Sequence, residues 1–206
     1  MNIAILGVGN IGGTLGKKWA NAGHRVAFGT RDANSRKAQA LRQSLPTVNI
    51  DTVSNALTSA DVVLVATPHS TVADLVRHNA AGFAGRIVID ATNNFGAPVV
   101  NNVATISAAA PTAQIFRVFN SMGWELYANP IINGRAVEQF YCGPDNDRRP
   151  LIEKLIEEIG VHPVWIGGNE MLHIADALGA LWVTLVFQRG YPREIALRLV
   201  QRSSSN

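Results

Sequence analysis

Short apolar runs alternate along the chain with stretches whose apolar residues recur at helical spacing. Asn2–Leu6 (NIAIL) reads as a strand, and IGGTLGKKWANAG then puts Ile11, Leu15 and Trp19 on one helical face, closing at Gly23. RVAFG is a second strand, followed by a polar helix around Ala38 and Leu41 that Pro46 ends. TVNI is a third strand and DTVSNALTSA a short helix with Asp51 as its cap. Asp61–Thr67 (DVVLVAT) is almost continuously apolar, as in a strand covered on both faces. HSTVADLVRHNAAGF is helical, GRIVIDAT a fifth strand, VVNNVATISAAA a helix stopped before Pro111, and AQIFRVFN a sixth strand. Strand and helix repeating at this spacing require right-handed crossovers and a parallel sheet with helices on both faces. The expected fold class is α/β, a Rossmann-type doubly wound, mainly parallel sheet with a short C-terminal helical extension.

The rhythm changes near Gly123. The expected division is therefore a nucleotide-binding domain over residues 1–122 and an extension over 123–206 that completes the sheet and supplies a helix for the acceptor side and a dimer. In it VEQFYCG and VHPVWIG are strands and DRRPLIEKLIEEIG is amphipathic. Asn169 caps a long last helix towards Arg198, with a break near Gly190-Tyr-Pro192. The terminal SSSN is expected to fray.

Gly7-Val8-Gly9-Asn10-Ile11-Gly12 matches G-x-G-x-x-G, and its place between the first strand and a helix gives the match meaning. Gly7 permits the tight turn, Gly9 lets backbone approach a pyrophosphate, and Gly12 lets helix and strand pack closely. The helix N-terminus then turns unpaired amides towards the phosphates. The alternative is a glycine turn with no ligand.

An NAD site needs a carboxylate at the end of the second strand for the ribose hydroxyls. Here that strand ends Gly29-Thr30-Arg31, and Asp32 lies beyond it. A hydroxyl and a guanidinium suit a 2′-phosphate, which a carboxylate would repel. Thr30 and Arg31 therefore favour NADP over NAD, with Ser35, Arg36 and Lys37 opening the next helix around the same group. The bland reading is a solvated loop. The other strand ends should line the cofactor crevice: Ala66-Thr67-Pro68-His69, Ala91-Thr92-Asn93-Asn94 and Phe119-Asn120-Ser121-Met122. His69 serves equally well as a helix opener without a chemical role.

Charge and cysteine content narrow the partners. A net charge of +3 with scattered basic residues excludes a nucleic-acid binder and suits an anionic cofactor. One cysteine, Cys142, rules out an internal disulfide and argues against a zinc cluster; no metal is expected. The N-terminus lacks a signal-peptide pattern, and the apolar run Ala177–Phe187 is about half the ~20 residues needed to cross a bilayer. A cytoplasmic protein without a membrane partner is expected.

The segments ILGVGNIGGTLGKKWANAGHRVAFGTRD, ATP, DATN, RVFNSMGWELYANP and YCGPDND resemble the NADP-dependent reductases of the deazaflavin coenzyme F-420, and are also similar to the nucleotide domain of the STEAP ferric reductases. The resemblance runs to about residue 187, and GTR and FNSMG carry more of it than the glycine turn. It implies direct hydride transfer between NADP(H) and a flavin-like acceptor. Val8, Gly9, Asn10 and Ile11 would then touch the pyrophosphate, and Thr30, Arg31 and Arg36 the 2′-phosphate. Pro68, His69, Asn120 and Met122 would surround the nicotinamide. ATNNFG stands where Asn-Pro is usual, so the loop at Asn94 bordering the acceptor departs from the pattern. No catalytic acid or base is assigned, because the cofactor carries the chemistry.

Between Met171 and Phe187 the chain is apolar nearly all round, so a helix there needs covering on every side, and a two-fold homodimer would supply the second surface. His173, Asp176, Ala180 and Thr184 form its one narrow polar stripe. Either His173 and Asp176 satisfy each other, or the stripe faces the acceptor pocket with Asp176 on the substrate side.

The function expected is an NADPH-dependent oxidoreductase handing hydride to a flavin-like (deazaflavin included) or other small planar acceptor. Two alternatives stay open. One is an imine or keto-acid reductase of the 6-phosphogluconate or pyrroline-carboxylate reductase kind, disfavoured by the short C-terminal part. The other is a redox sensor that binds NADPH without turnover.

Overall fold

The structure is a computed structural model, and it describes residues 1–202, so the SSSN end lies outside the described residues. Six parallel strands form the main sheet: β1 (Asn2–Leu6), β2 (Arg25–Gly29), β3 (Asn49–Asp51), β4 (Val62–Val65), β5 (Ile87–Asp90) and β6 (Gln114–Arg117). Their order is β3-β2-β1-β4-β5-β6, so the winding reverses between β1 and β4. In such sheets that reversal opens a crevice at the carboxyl ends of the strands.

Side-chain alternation divides the core into two layers. Ile3, Ile5, Val62, Leu64, Ile87 and Ile89 face one side and pack with Leu15 and Trp19 of α1 (Asn10–Asn21). Ala4, Leu6, Val63, Val65 and Val88 face the other, against α3 (Val53–Leu57), α4 (Val72–His78) and α5 (Val103–Ala109). Both faces of β4 are fully covered, which explains its unbroken apolar run. Between β2 and β3 lies α2 (Arg36–Ser44), capped by Ser35, whose hydroxyl accepts the Ala38 N–H.

Three expectations are corrected, and one element is added. Thr52, not Asp51, caps α3: its Oγ1 accepts the Asn55 N–H at 3.2 Å. Asp51 cannot, because it is still in the ladder opposite Gly29. The extension does not complete the main sheet. Its strands β9 (Glu138–Tyr141) and β10 (His162–Trp165) pair with each other in parallel and meet the sheet only through an antiparallel bridge between Arg117 and Cys142. At Gly143 (φ +155°) a Cβ would lie 2.4 Å from Phe116 Cδ1, so glycine brings the chain flush against the edge of β6. A small hairpin, β7 (Ile131–Ile132) and β8 (Arg135–Ala136), was not anticipated, although Asn133-Gly134, both at positive φ, is the dipeptide that two-residue hairpins favour. Finally, the last helix stops at Gln188 rather than running towards Arg198, because Gly190 (φ +74°) and Pro192 turn the chain.

Two elements fix the extension to the first domain. In α7 (Arg149–Ile159) the residues Ile152, Leu155, Ile156 and Ile159 are buried, and the Trp19 indole of α1 donates to the Leu155 carbonyl at 2.9 Å. Cys142, buried at the bridge, has its thiol pushed up to about 12 by burial. The last helix, α8 (Leu172–Val183), follows a 3-10 turn and ends in a π-helical turn over Thr184–Gln188. Its whole span, Asn169–Gln188, is 20 residues with a most apolar window of mean hydropathy 1.4, nearly twice the run counted from sequence.

Candidate dinucleotide and acceptor site

A cavity of about 990 Å³ opens at the carboxyl ends of the strands, where the winding reverses. At its floor the three glycines of the first turn have three separate causes. Gly7 has φ +119°, and a Cβ there would lie 2.5 Å from the Ala66 carbonyl oxygen. A Cβ on Gly12 would lie 2.5 Å from the Gly7 oxygen, so that glycine serves helix–strand packing. Gly9 is different: its φ is −82° and a Cβ would meet nothing within 4 Å. Neither strain nor packing demands glycine there. The open space lies directly before the first turn of α1, whose N-cap carries no side-chain hydrogen bond. A bound pyrophosphate accounts for both observations. Thr67 Oγ1, buried at the same cavity without a partner, is a further polar group left for a ligand.

Gly7, Val8, Gly9, Asn10 and Ile11 all line the cavity, as do Thr30, Arg31, Thr67, Pro68, Asn93 and Met122. Arg31 and Lys37 are exposed and have no ion-pair partner among the described residues. Thr30 keeps its backbone in place by donating to the Asp51 carbonyl at 3.0 Å. The rim of β2 thus presents a hydroxyl and two free cations, a donor set that fits a phosphate on the ribose.

Several expected residues lie elsewhere. Of the three residues expected to open α2 around that group, Lys37 lines the cavity, while Arg36 and Ser35 do not. His69 stands outside the lining, its Nε2 3.2 Å from the Asn101 carbonyl, so it holds a loop rather than the nicotinamide. Asn120 is also behind the wall: its amide donates to the Ala175 carbonyl at 2.8 Å, and its own carbonyl accepts from Asn93 at 2.9 Å. Asn94 does not reach the cavity; its N–H bonds the Val100 carbonyl at 3.0 Å.

Asp176 is the largest correction. It neither pairs with His173 nor lines the cavity. Arg117, fully buried on β6, donates to it through Nε at 3.0 Å, and Asn101 donates at 2.6 Å. Arg117 also donates to Asn93 Oδ1 at 2.7 Å and to the Asp90 carbonyl at 3.2 Å. Asp90, equally buried, accepts from Thr92 Oγ1 at 2.6 Å and the Asn102 N–H at 2.8 Å. One guanidinium therefore sets the amide of Asn93 and anchors α8. His173 and Ala180 are exposed instead of sharing Asp176's inward face.

Residues not anticipated complete the lining. Asp74, Leu75, His78 and Asn79 of the α4 region form one wall. At the other end Trp124, Trp182 and Arg193 join Phe119, which the strand-end pattern had placed in the crevice. Phe119 has φ +60°, an uncommon conformation for a non-glycine residue, and is wedged edge-on between Trp19 and Tyr127. Nothing local in FNSMG signals that turn. Trp124 opens α6 (Trp124–Ala128), and Trp182 comes from α8.

Residues 2–94 match the model of a protein family described as NADP oxidoreductase, coenzyme F420-dependent. The match covers the first five strands of the sheet and the glycine turn. Among solved structures, a candidate F420-dependent NADP-reductase from Arthrobacter sp. FB24 is 24% identical, with 98% of this chain and all of that one superposed at a TM-score of 0.85. A hypothetical protein from Sinorhizobium meliloti is 25% identical over 98% of this chain and 96% of its own, at 0.68. A pyrroline-5-carboxylate reductase from Coxiella burnetii shares the fold at 15% identity and a TM-score of 0.67, over 91% of this chain and 68% of its own.

Two expectations test the cofactor placement. Gly9→Val fills the open space before α1 and abolishes NADPH binding, measured by fluorescence titration, while the thermal melting midpoint stays near that of the parent. Arg31→Ala weakens NADPH by about 1.5–3 kcal/mol, the range for a hydrogen bond to a charged group, and NADH much less. Equal losses for the two dinucleotides in the same titration would remove Arg31 from the 2′-phosphate.

Proposed function

We propose that the chain binds NADPH along this cavity and is an oxidoreductase delivering hydride to a flavin-like planar acceptor, deazaflavins included. The observation that supports it most is the composition of the wall formed by Thr92, Asn93, Phe119, Met122, Trp124 and Trp182. Among the described residues no Asp, Glu, His or Lys joins that end, and Arg193 is its one ionisable side chain. Such a wall holds a flat ring and excludes water; it offers nothing to protonate an imine nitrogen or a ketone oxygen. NADPH bound there supplies a proton with two electrons from its nicotinamide, and the acceptor takes its second proton from solvent. What the protein adds is alignment: Asn93, oriented by Arg117, and Met122 stand beside the aromatic residues. An imine or keto-acid reductase has the same fold but lacks an acid here. A sensor that binds NADPH without turnover would show no oxidation at all.

The deciding measurement is absorbance at 340 nm with NADPH and a panel of flavin, deazaflavin, quinone and cyclic imine acceptors. Oxidation with the flavin-like members and not the imine is expected. Consumption of the imine alone, or of no acceptor, overturns the reading.

We further propose a homodimer built on α8. Its inward face holds Ala175, Asp176 and Gly179, and a Cβ on Gly179 would lie 2.9 Å from the Asn120 carbonyl oxygen. The larger apolar residues Ile174 and Leu181, each 42% exposed, point away. An anchored helix with its polar group inward and its apolar residues outward suits contact with a second copy. Leu181→Glu should convert the dimer to monomer in sedimentation velocity, with NADPH affinity little changed; a sedimentation coefficient that the substitution leaves unmoved removes this face from the interface.

A further inference from the structure

The segment after α8 turns at Gly190 and comes back over the acceptor end of the cavity. It is held there by the Tyr191 N–H on the Leu185 carbonyl (3.1 Å), by Ala196 against the core, and by the Leu199 N–H on Glu138. This return places Arg193 in the cavity lining beside Trp124 and Trp182. Its Cζ stands 5.3 Å from the Trp182 ring centroid and 5.6 Å from that of Phe187, so the aromatic rings fix the guanidinium plane. Glu125 engages Nε at 2.5 Å and Nη2 at 3.4 Å. Nη1 has no partner among the described residues, and the side chain is 41% exposed. Gly123 lies beneath the pair; a Cβ there would be 2.4 Å from Glu125 Oε2 and 3.0 Å from Trp182 Cζ2.

A half-exposed ion pair of this kind contributes little to stability, and the backbone bonds above already hold the segment. The arrangement is better explained by recognition. The cations at the far end of the cavity, Arg31 and Lys37, serve one phosphate of the dinucleotide; Arg193 is the cation of the opposite end. Resting on the reading of a planar acceptor, we infer that Arg193 is a specificity-determining residue that selects acceptors carrying an anionic arm, phosphate or carboxylate, attached to the ring. The free Nη1 meets the arm, and Glu125 holds the fork in orientation while the ring lies against the tryptophans.

The test compares flavins with one ring system and different arms: riboflavin (neutral), FMN (phosphate) and an N10-carboxyalkyl flavin. NADPH oxidation is followed at 340 nm. The parent protein should favour at least one anionic flavin over riboflavin by about tenfold in kcat/KM, the scale of one charge-assisted hydrogen bond. The better of the two identifies the arm. In Arg193→Leu the anionic-to-neutral ratio falls to about one, Arg193→Lys retains part of it, and Glu125→Gln does not lower it. Raising the salt concentration narrows the parent's ratio. NADPH titration of each variant reports whether the dinucleotide site is intact, and the lysine variant keeps the question open if the leucine variant is misfolded. A parent ratio near one, or a ratio unmoved in both arginine variants, overturns the inference while leaving the planar-acceptor reading in place. No oxidation with any of the three flavins overturns the inference, and the planar-acceptor reading falls with it only when the deazaflavin and quinone of the wider panel also leave NADPH unoxidised.

Discussion

The buried guanidinium of Arg117 is the contact on which the site depends. It stands on the last strand of the main sheet, where it joins the loop after β5, the Asp90 carbonyl and Asp176 of α8. Two carboxylates and one guanidinium, with little or no exposure, would be costly without satisfied hydrogen bonds. Here Thr92, Asn101 and Asn102 supply them. The outcome is a rigid joint between the half that carries the glycine turn and the helix that closes the opposite end of the cavity. The shape of the cavity wall is thus decided behind it, by residues that do not line it.

That joint also accounts for the character of α8. Length and composition alone would let Asn169–Gln188 span a bilayer. Asp176 on Arg117 and the close approach of Gly179 to the Asn120 carbonyl tie it to the sheet instead. The polar residue is inward because the partner it needs is inward, and the apolar surface left outside is the consequence.

Much of this was legible in the sequence. Strand–helix alternation specified the parallel sheet because each apolar run has one geometry that buries both faces. GVGNIG announced its turn because glycine chemistry is local, and Thr30-Arg31 stood out against the carboxylate another cofactor would need. What escaped detection depends on residues distant in the chain. Asp176 looked like a substrate-side group because its partner is 59 residues away. His69 and Asn120 were placed one layer too far forward, since strand-end position gives neighbourhood and not side-chain direction. Of Arg36 and Lys37, both expected at the phosphate, only Lys37 lines the cavity, for the same reason. Arg193 had no signal: only the turn at Gly190 carries it back to the cavity. The Asn133-Gly134 hairpin, by contrast, carried its usual local mark.

The isolated thiol has a bearing on durability. Two-electron carriers such as reduced flavins shed peroxide when oxygen reaches them, and peroxide attacks thiolates. With Cys142 covered at the seam of β6 and β9 and its thiol pushed up by burial, the chain keeps no thiolate within reach of such by-products. A seam of this construction protects the fold from oxidation at cysteine.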